Sequence, residues 1–193
     1  MTTIGTDSKH DQQTIVQAAV SCFIQHGIAE TSMQDVVQES GLSSDVVYSH
    51  FPAKNDILRV LGAVNKAAAA GMLNEMLEET PLPSADEMLG RSATFFDAGA
   101  QNRGPMSVVP QAWGVALYDD EINVIMRGVL GDLQDIWVEL ATRMADEGRL
   151  PDGADPQDVG RTFGCMIIGY MVQSLLSDVK PAHLHRALRT LLR

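Results

Sequence analysis

Hydroxyl, phenol and imidazole side chains are concentrated between residues 31 and 54, in the segment TSMQDVVQESGLSSDVVYSHFPAK. Such groups donate hydrogen bonds to phosphate oxygens and exchange hydrogen bonds with the edges of bases. A carboxylate at Asp45 can accept from a cytosine amino group, and Val46 can contact a thymine methyl group. The chemistry offered by this segment is therefore recognition of a nucleic-acid surface.

Two short helices joined by a tight turn are predicted to position these side chains. Met33, Val36 and Val37 recur at the spacing of one helical face, and either Thr31 or Ser32 can cap the N-terminus of that helix. Gly41 follows and can adopt the positive φ that a turn requires.

The second helix of the pair carries the groups that could read DNA. Ser43 or Ser44 can cap its N-terminus, while Val47 and Phe51 point inward. A short capped helix with small polar and aromatic residues on its free side fits the major groove. The sequence thus predicts a helix-turn-helix.

This segment and the helix before it resemble the tetracycline-repressor (TetR) family of ligand-controlled transcription regulators. The matching positions are Ile15, Ala18, Ala19, Phe23, Gly27, Thr31, Met33, Val36, Gly41, Ser43, Val47, Tyr48, His50, Phe51 and Lys54. The resemblance covers about the first third of the chain, and the ending Tyr-x-His-Phe-x-x-Lys is its most specific part. It implies a homodimer that binds a double-stranded, palindromic DNA operator and releases it when a small molecule binds.

Within that pattern, Tyr48 and His50 are predicted to contact phosphates, and Lys54 is predicted to hold one at the start of the next helix. Thr31 and Ser32 are either caps alone or caps that also grip the DNA strand. The predicted base-reading residues are Ser43, Ser44, Asp45, Val46 and Ser49. For Asp45, service to the helix macrodipole is an equal alternative.

The charge of the chain argues against a general nucleic-acid coat. The net charge is −11, and residues 1–60 hold three Lys or Arg (Lys9, Lys54, Arg59) against seven Asp or Glu, a balance of −4. We therefore expect weak non-specific binding and a strong dependence on a few directed contacts. The acidic first 60 residues also favour an alternative, a ligand-binding or interaction protein whose DNA-binding domain has little or no affinity.

The rest of the chain reads as helical. It is 45% hydrophobic, lacks extended β-branched alternation and is divided by Pro and Gly, which predicts an all-α protein of about nine helices. We assign residues 1–10 to a flexible arm, 11–60 to the DNA-binding domain and 61–193 to a larger ligand-binding and dimerisation domain. The apolar run around 163–172 is shorter than the roughly 20 residues of a membrane span.

Catalytic, metal and cofactor motifs are missing from the sequence: it has no GxSxG, P-loop, HExxH or dinucleotide fingerprint, and its five His are scattered. We therefore predict neither an enzyme nor a cofactor. Cys22 and Cys165 have no paired spacing, which favours buried, reduced thiols in a cytoplasmic protein with no membrane partner.

The second half resembles the regulatory half of the same family more loosely, and this implies an apolar effector pocket and a dimer interface in the last two helices. The predicted ligand-binding residues are Phe95, Met106, Trp113, Tyr118, Met166 and Tyr170. The predicted interface residues are Gly160, Gly164, Ile167, Leu175, Leu184 and Leu188. Ordinary packing inside one subunit is the alternative for both sets.

Overall fold

The computed structural model of the chain describes residues 4–101 and 104–191, with side chains from residue 8 onward. Nine α-helices and one short 3₁₀ helix, Pro105–Val108, account for the regular structure of these residues, which contain no strand. The α-helices are α1 (Ile4–His26), α2 (Met33–Ser40), α3 (Ser44–His50), α4 (Lys54–Glu78), α5 (Ala85–Ala100), α6 (Val109–Ala116), α7 (Asp120–Asp146), α8 (Pro156–Leu176) and α9 (Pro181–Leu191). The predicted all-α fold is confirmed.

The first helix corrects one prediction. α1 begins at Ile4, so the arm predicted for residues 1–10 is wrong from Ile4 onward, and residues 1–3 lie outside the described part. The start of α1 is polar, and polar residues extend a helix whose later turns are anchored without adding an apolar stripe. Hydrophobic periodicity therefore indicated only the packed part of α1, from Ile15 to Phe23.

The chain divides into two compact units. Unit 1 comprises residues 1–64 and 103–126, and unit 2 comprises residues 65–102 and 127–193. The predicted DNA-binding domain, residues 11–60, lies inside unit 1. Residues 104–126, which we assigned to the second domain by their place in the sequence, make their contacts within unit 1 instead.

Unit 1 is built on the buried stripe of α1. Ile15, Ala19 and Phe23 are fully buried there, and Val36 of α2 and Val47 of α3 are equally inaccessible. Their spacing places apolar groups on one side of each short helix, so α1 supplies the surface on which both rest.

Unit 2 has its own core around α5, which packs against α8 and α9. Leu89 of α5 and Leu140 of α7 are fully buried in it. Trp137 and Phe163 meet edge to face, with ring centroids 5.9 Å apart. Arg143 also donates to the carbonyl oxygens of Leu77 and Glu79, which joins α7 to the end of α4.

Two glycines of α8 face α7 of the same chain. A Cβ on Gly160 would lie 2.6 Å from Cα of Val138, and a Cβ on Gly164 would lie 3.0 Å from Oε1 of Gln134. Because these glycines permit close packing inside one subunit, their assignment to the dimer interface is wrong.

α8 is the one described helix whose length and composition would allow a membrane span, and this alone does not indicate a membrane protein. It is 21 residues long, and an 18-residue window in it has a mean hydropathy of 1.2, so by length and composition it could cross a membrane. Only 17% of the window is fully buried, and Val172, Leu175 and Leu176 of α8 are exposed.

Candidate nucleic-acid interface and effector region

α3 is a two-turn helix closed at both ends by its own residues. Ser43 is its N-cap, and the Ser43 hydroxyl accepts from the backbone N–H of Val46 at 3.4 Å. At the other end the N–H of Phe51 donates to the carbonyl of Val47 at 2.9 Å. Val47 and Phe51 are buried, which fixes the rotation of α3 and turns its remaining side chains outward.

Most of the residues predicted to read DNA lie on this outer side. Ser43, Ser44, Asp45 and Ser49 are exposed, and Tyr48 keeps 44% of its surface accessible. Val46 and His50 are half-buried. Their roles in base or phosphate contact stay predictions, but α3 presents them on one surface, which we call the α3 face (Ser43–His50 without Val47).

The hydroxyls of the α3 face are partly committed. Ser43 caps the helix, and Ser49 donates to the carbonyl of Val46 at 2.7 Å. Within the described part of the chain, the hydroxyls of Ser44 and Tyr48 and the carboxylate of Asp45 have no hydrogen-bond partner. These three groups, together with the imidazole of half-buried His50, which likewise has no partner among the described residues, are therefore free to meet a ligand.

Ser32 belongs to a capping box at the start of α2. Its hydroxyl accepts from the N–H of Asp35 at 3.2 Å and donates to Asp35 Oδ2 at 2.7 Å, while the Ser32 N–H donates to the same oxygen at 2.7 Å. These donors lower the pKa of the Asp35 carboxyl below its usual 3.8. The capping bonds thus explain why a serine stands at position 32. Its side chain is also exposed, so a contact with DNA stays a prediction.

Thr31 is buried, with 2% of its surface accessible, and its hydroxyl donates to the carbonyl of Gly27 at 2.8 Å. The predicted grip of its side chain on DNA is therefore wrong. A threonine hydroxyl can donate to the backbone carbonyl four residues earlier. This local bond takes the place of the predicted bond to the DNA strand.

Lys54 is engaged inside unit 1. Its ammonium group donates to the carbonyl oxygens of Ile28 at 2.6 Å, Thr31 at 2.8 Å and Ala29 at 3.3 Å. Loss of solvent around the group lowers its pKa, against the opposing effect of Asp119 and Glu30. All three donors of the ammonium have partners inside unit 1, so Lys54 holds the α1–α2 loop, and its contact with a phosphate stays a prediction.

Arg59 is likewise engaged within unit 1. Its guanidinium contacts Asp56 at 2.8 Å and Glu121 at 2.7 Å, and these partners raise its pKa. Lys9 is the one Lys or Arg in residues 8–60 without a carboxylate or carbonyl partner in the described structure. The DNA-reading part of unit 1 therefore offers almost no free positive charge.

The predicted effector residues do not form one group. Met106, Trp113 and Tyr118 belong to unit 1, whereas Phe95, Met166 and Tyr170 belong to unit 2. Tyr118 is 92% exposed in the turn after α6, so its assignment to a buried pocket is wrong. Helical periodicity predicted aromatic residues facing inward, but it did not detect that the helix ends before this one.

Tyr170 is buried, and its hydroxyl donates to Asp97 Oδ1 at 2.7 Å, joining α8 to α5. Burial and the neighbouring carboxylate raise the pKa of the Tyr170 phenol, so it stays protonated. Asp97 is half-buried and has no cationic partner among the described residues. A carboxylate of this kind can accept a positively charged ligand.

Sequence reasoning missed a cleft of about 430 Å³ in unit 2 between α5 and the start of α9. It is lined by Glu87, Gly90, Arg91, Thr94, Lys180, Pro181, Ala182 and His185. The α5 members of this lining recur at i, i+3, i+4 and i+7, a spacing that places them on one face of the helix and is visible in the sequence. Pairing that face with α9 required the tertiary structure.

The predicted interface residues separate into two groups. Leu188 is buried in the core of unit 2, and Ile167 and Leu184 pack partly against that core, so these three serve the subunit itself. Leu175 is 41% exposed. It belongs to a partly covered stripe that we call the α8 face, which consists of exposed Cys165, Val172, Leu175 and Leu176 and half-buried Ile168 and Gly169.

Cys165 on this face is exposed, which contradicts the burial predicted for it, whereas Cys22 is buried as predicted. A Cβ added at Gly169 would meet nothing within 4 Å. The close-packing glycines of α8 are therefore Gly160 and Gly164, on another side of the helix.

A capped helix-turn-helix in one unit and an independent helical bundle in the other define the class of ligand-controlled DNA-binding regulators. Family models agree with both parts: residues 15–61 match the bacterial regulatory proteins of the tetR family, and residues 92–193 match the C-terminal domain of the BetI-type transcriptional repressor. The chain belongs to the TetR family and is a ligand-responsive, DNA-binding transcriptional regulator. Members of this family are regulators that bind DNA operators and small-molecule effectors and act as dimers.

Solved structures show the same fold at low sequence identity. GusR of Salmonella enterica is 18% identical with a TM-score of 0.78, covering 94% of this chain and 93% of that one. A transcriptional regulator from Saccharomonospora viridis in complex with choline is 19% identical with a TM-score of 0.75, covering 94% and 95%. SmeT in complex with triclosan is 21% identical with a TM-score of 0.64, covering 88% and 84%. No curated protein sequence matches the chain significantly.

Proposed function

We propose that this regulator is a cytoplasmic homodimer that represses transcription by binding a palindromic operator and leaves it when an effector binds unit 2. The observation that carries this proposal is the α3 face, which presents Ser44, Asp45 and Tyr48 free of internal partners. Two such faces related by a two-fold axis meet half-sites roughly 34–36 Å apart. An effector that favours a different dimer geometry then lowers operator affinity.

The mode of binding follows from the engagement of Lys54 and Arg59. Because these cations are satisfied inside unit 1, few phosphates are neutralised and few counterions are released. Sequence-specific contacts from neutral groups then supply most of the affinity. This favours tight operator binding with weak binding to other DNA.

Gel shifts with the DNA flanking its own gene, repeated over a range of salt concentrations, test the proposal. We expect binding that resists competitor DNA, with a slope of log K against log salt near about −2 for a dimer using one free Lys per subunit. A slope steeper than roughly −5 would contradict this use of charge. Tyr48→Ala should weaken operator binding while thermal stability and dimerisation stay near wild type, because the hydroxyl has no internal partner.

The acidic unit 1 also favours a second candidate, a ligand-binding or interaction protein whose DNA-binding domain has little or no affinity. The same gel shifts separate the two. Absence of any shift at low salt, with ligand-free protein and fragments selected from the whole genome, would support the second candidate.

We place the dimer contact on the α8 face because its apolar residues lack cover in the single chain. Cys165 reports on this contact directly, since Cys22 is buried. In the dimer, a thiol reagent should modify Cys165 slowly, and dilution below the dimerisation constant should speed the reaction. Rapid modification of a protein that sediments as a dimer would place the contact elsewhere.

We further propose that the effector is a small apolar or amphipathic molecule, and that Asp97 favours one with a positive charge. The relatives crystallised with choline and with triclosan indicate that this fold admits both kinds of ligand. Thermal shift with an alkyltrimethylammonium salt is the test. We expect a rise in Tm that Asp97→Asn abolishes; an equal rise in both proteins would remove Asp97 from the site.

A further inference from the structure

Ile28, in the loop between α1 and α2, is fixed by three separate contacts. Its side chain is 2% exposed, and its carbonyl oxygen accepts from Nζ of Lys54 at 2.6 Å. Its backbone N–H donates to Oε1 of Gln111 at 3.1 Å. Lys54 belongs to α4 and Gln111 to α6, so two helices distant in sequence hold the two peptide groups on either side of the Ile28 Cα.

Gln111 lies outside the residues that match the DNA-binding family model, 15–61, and inside the match to the repressor-type C-terminal domain, 92–193. Its contacts nevertheless place it in unit 1. A second link from the same segment supports this placement: Glu121 accepts from Asn55 at 2.8 Å and from Arg59 at 2.7 Å. The segment 104–126 therefore touches both the α1–α2 loop and the start of α4.

The loop held by Gln111 leads directly into the reading helices. Gly27 ends α1 with a φ of +84°, and the N–H of Thr31 returns to the carbonyl of Gly27 at 3.2 Å. Ser32 then caps α2. Because this turn is short and internally bonded, a displacement of Ile28 moves the start of α2, and α3 follows through the tight turn at Gly41.

From this geometry we propose that Gln111 is a positioning residue for DNA recognition: its side-chain oxygen fixes the α1–α2 loop and thereby the placement of α2 and α3. The proposal deepens the DNA-binding function and rests on it. The segment 104–126, which belongs to the regulatory half by sequence, is then part of the DNA-reading unit. Operator affinity therefore depends on the position of α6.

The test uses the full-length dimer with three variants and the operator fragment selected above. Gln111→Met keeps the length of the side chain and removes the acceptor, while Gln111→Glu keeps an oxygen at that place. Asn123→Leu is the matched control, because the Asn123 amide donates to Ala116 at 3.0 Å within the same segment and touches no reading helix. Operator Kd and hydrogen exchange at the Ile28 amide are measured for each.

We expect Gln111→Met to weaken operator binding roughly 5- to 25-fold for two subunits, and to speed exchange at the Ile28 amide. Gln111→Glu should restore both values, and Asn123→Leu should leave both unchanged. Wild-type operator affinity with slow exchange in Gln111→Met overturns the proposal, as does failure of Gln111→Glu to restore binding in a folded dimer. If the wild type itself binds no DNA, the proposed function fails, whereas the exchange rates still decide the role of Gln111 in the loop.

Discussion

The α3 face and the α8 face are both exposed, but they differ in what they leave unsatisfied. Behind the α3 face Val47 and Phe51 are turned inward, and the groups without an internal partner are the hydroxyls of Ser44 and Tyr48, the carboxylate of Asp45 and the imidazole of His50. On α8 the close-packing Gly160 and Gly164 lie on another side of the helix, and the exposed groups of the α8 face are mainly apolar. Polar groups already solvated by water suit a contact that forms and breaks, whereas uncovered apolar surface suits a lasting one. The difference supports the proposal that unit 1 carries reversible recognition and unit 2 carries the dimer contact.

The largest expected effect comes from placing a charge on the α8 face. Val172→Arg should convert the dimer to monomers, since a buried, unpaired charge opposes association. Operator affinity should then fall on the order of 100-fold or more, because two linked half-sites become one. Sedimentation and gel shifts measure both effects. Gln173→Arg, at an exposed polar neighbour, should keep the dimer; dissociation of both variants equally would contradict an apolar face.

Gly160 tests whether the opposite side of α8 is packed within one subunit. Gly160→Ala would place a methyl group 2.6 Å from Cα of Val138, so α7 and α8 must separate, and we expect unit 2 to lose about 3 kcal/mol of unfolding free energy. Gly131→Ala in α7 meets nothing within 4 Å and should gain up to about 1 kcal/mol. Chemical denaturation compares the two. A harmless Gly160→Ala would show that the helices are not in contact there.

Lys54 and Lys9 test how unit 1 uses its positive charge. Lys54→Met leaves the carbonyls of Ile28 and Thr31 without a donor, so we expect a loss of about 1–3 kcal/mol in unfolding free energy. Operator affinity should fall with the slope of log K against log salt unchanged. Lys9→Met should do the reverse, keeping stability and reducing that slope by about one for each phosphate that is no longer neutralised. A stable Lys54→Met protein with a flatter slope would restore the phosphate role.

The smallest expected effect is the loss of stability of the α2 capping box at low pH. Because the Ser32 donors depress the pKa of Asp35, the capping box is fully stabilising above pH 3.8 and weakens as pH falls through the lower folded value. Ser32→Ala should return the pKa of Asp35 towards 3.8, as NMR titration of its carboxyl carbon would report. An unchanged pKa would mean that the bonds between Ser32 and Asp35 do not persist in solution.

The sequence allowed the helical fold, the helix-turn-helix and the outward set on α3 to be predicted, because periodicity and capping residues act over a few positions. Thr31 and Lys54 carry groups that could bind phosphate. A local bond to the carbonyl of Gly27 occupies the Thr31 hydroxyl, whereas only the tertiary structure reveals the carbonyls that Lys54 meets. Gly160 similarly indicated that another helix packs closely against α8, but the sequence did not indicate which helix. No local pattern in the sequence indicated the contact between Gln111 and the α1–α2 loop.

The engagement of Lys54 and Arg59 has a consequence for how the regulator finds its target. A protein with little attraction for bulk DNA spends little time sliding along it and searches mainly by free diffusion. Fewer copies are then sequestered on the chromosome, so a small number of molecules per cell can keep one promoter occupied.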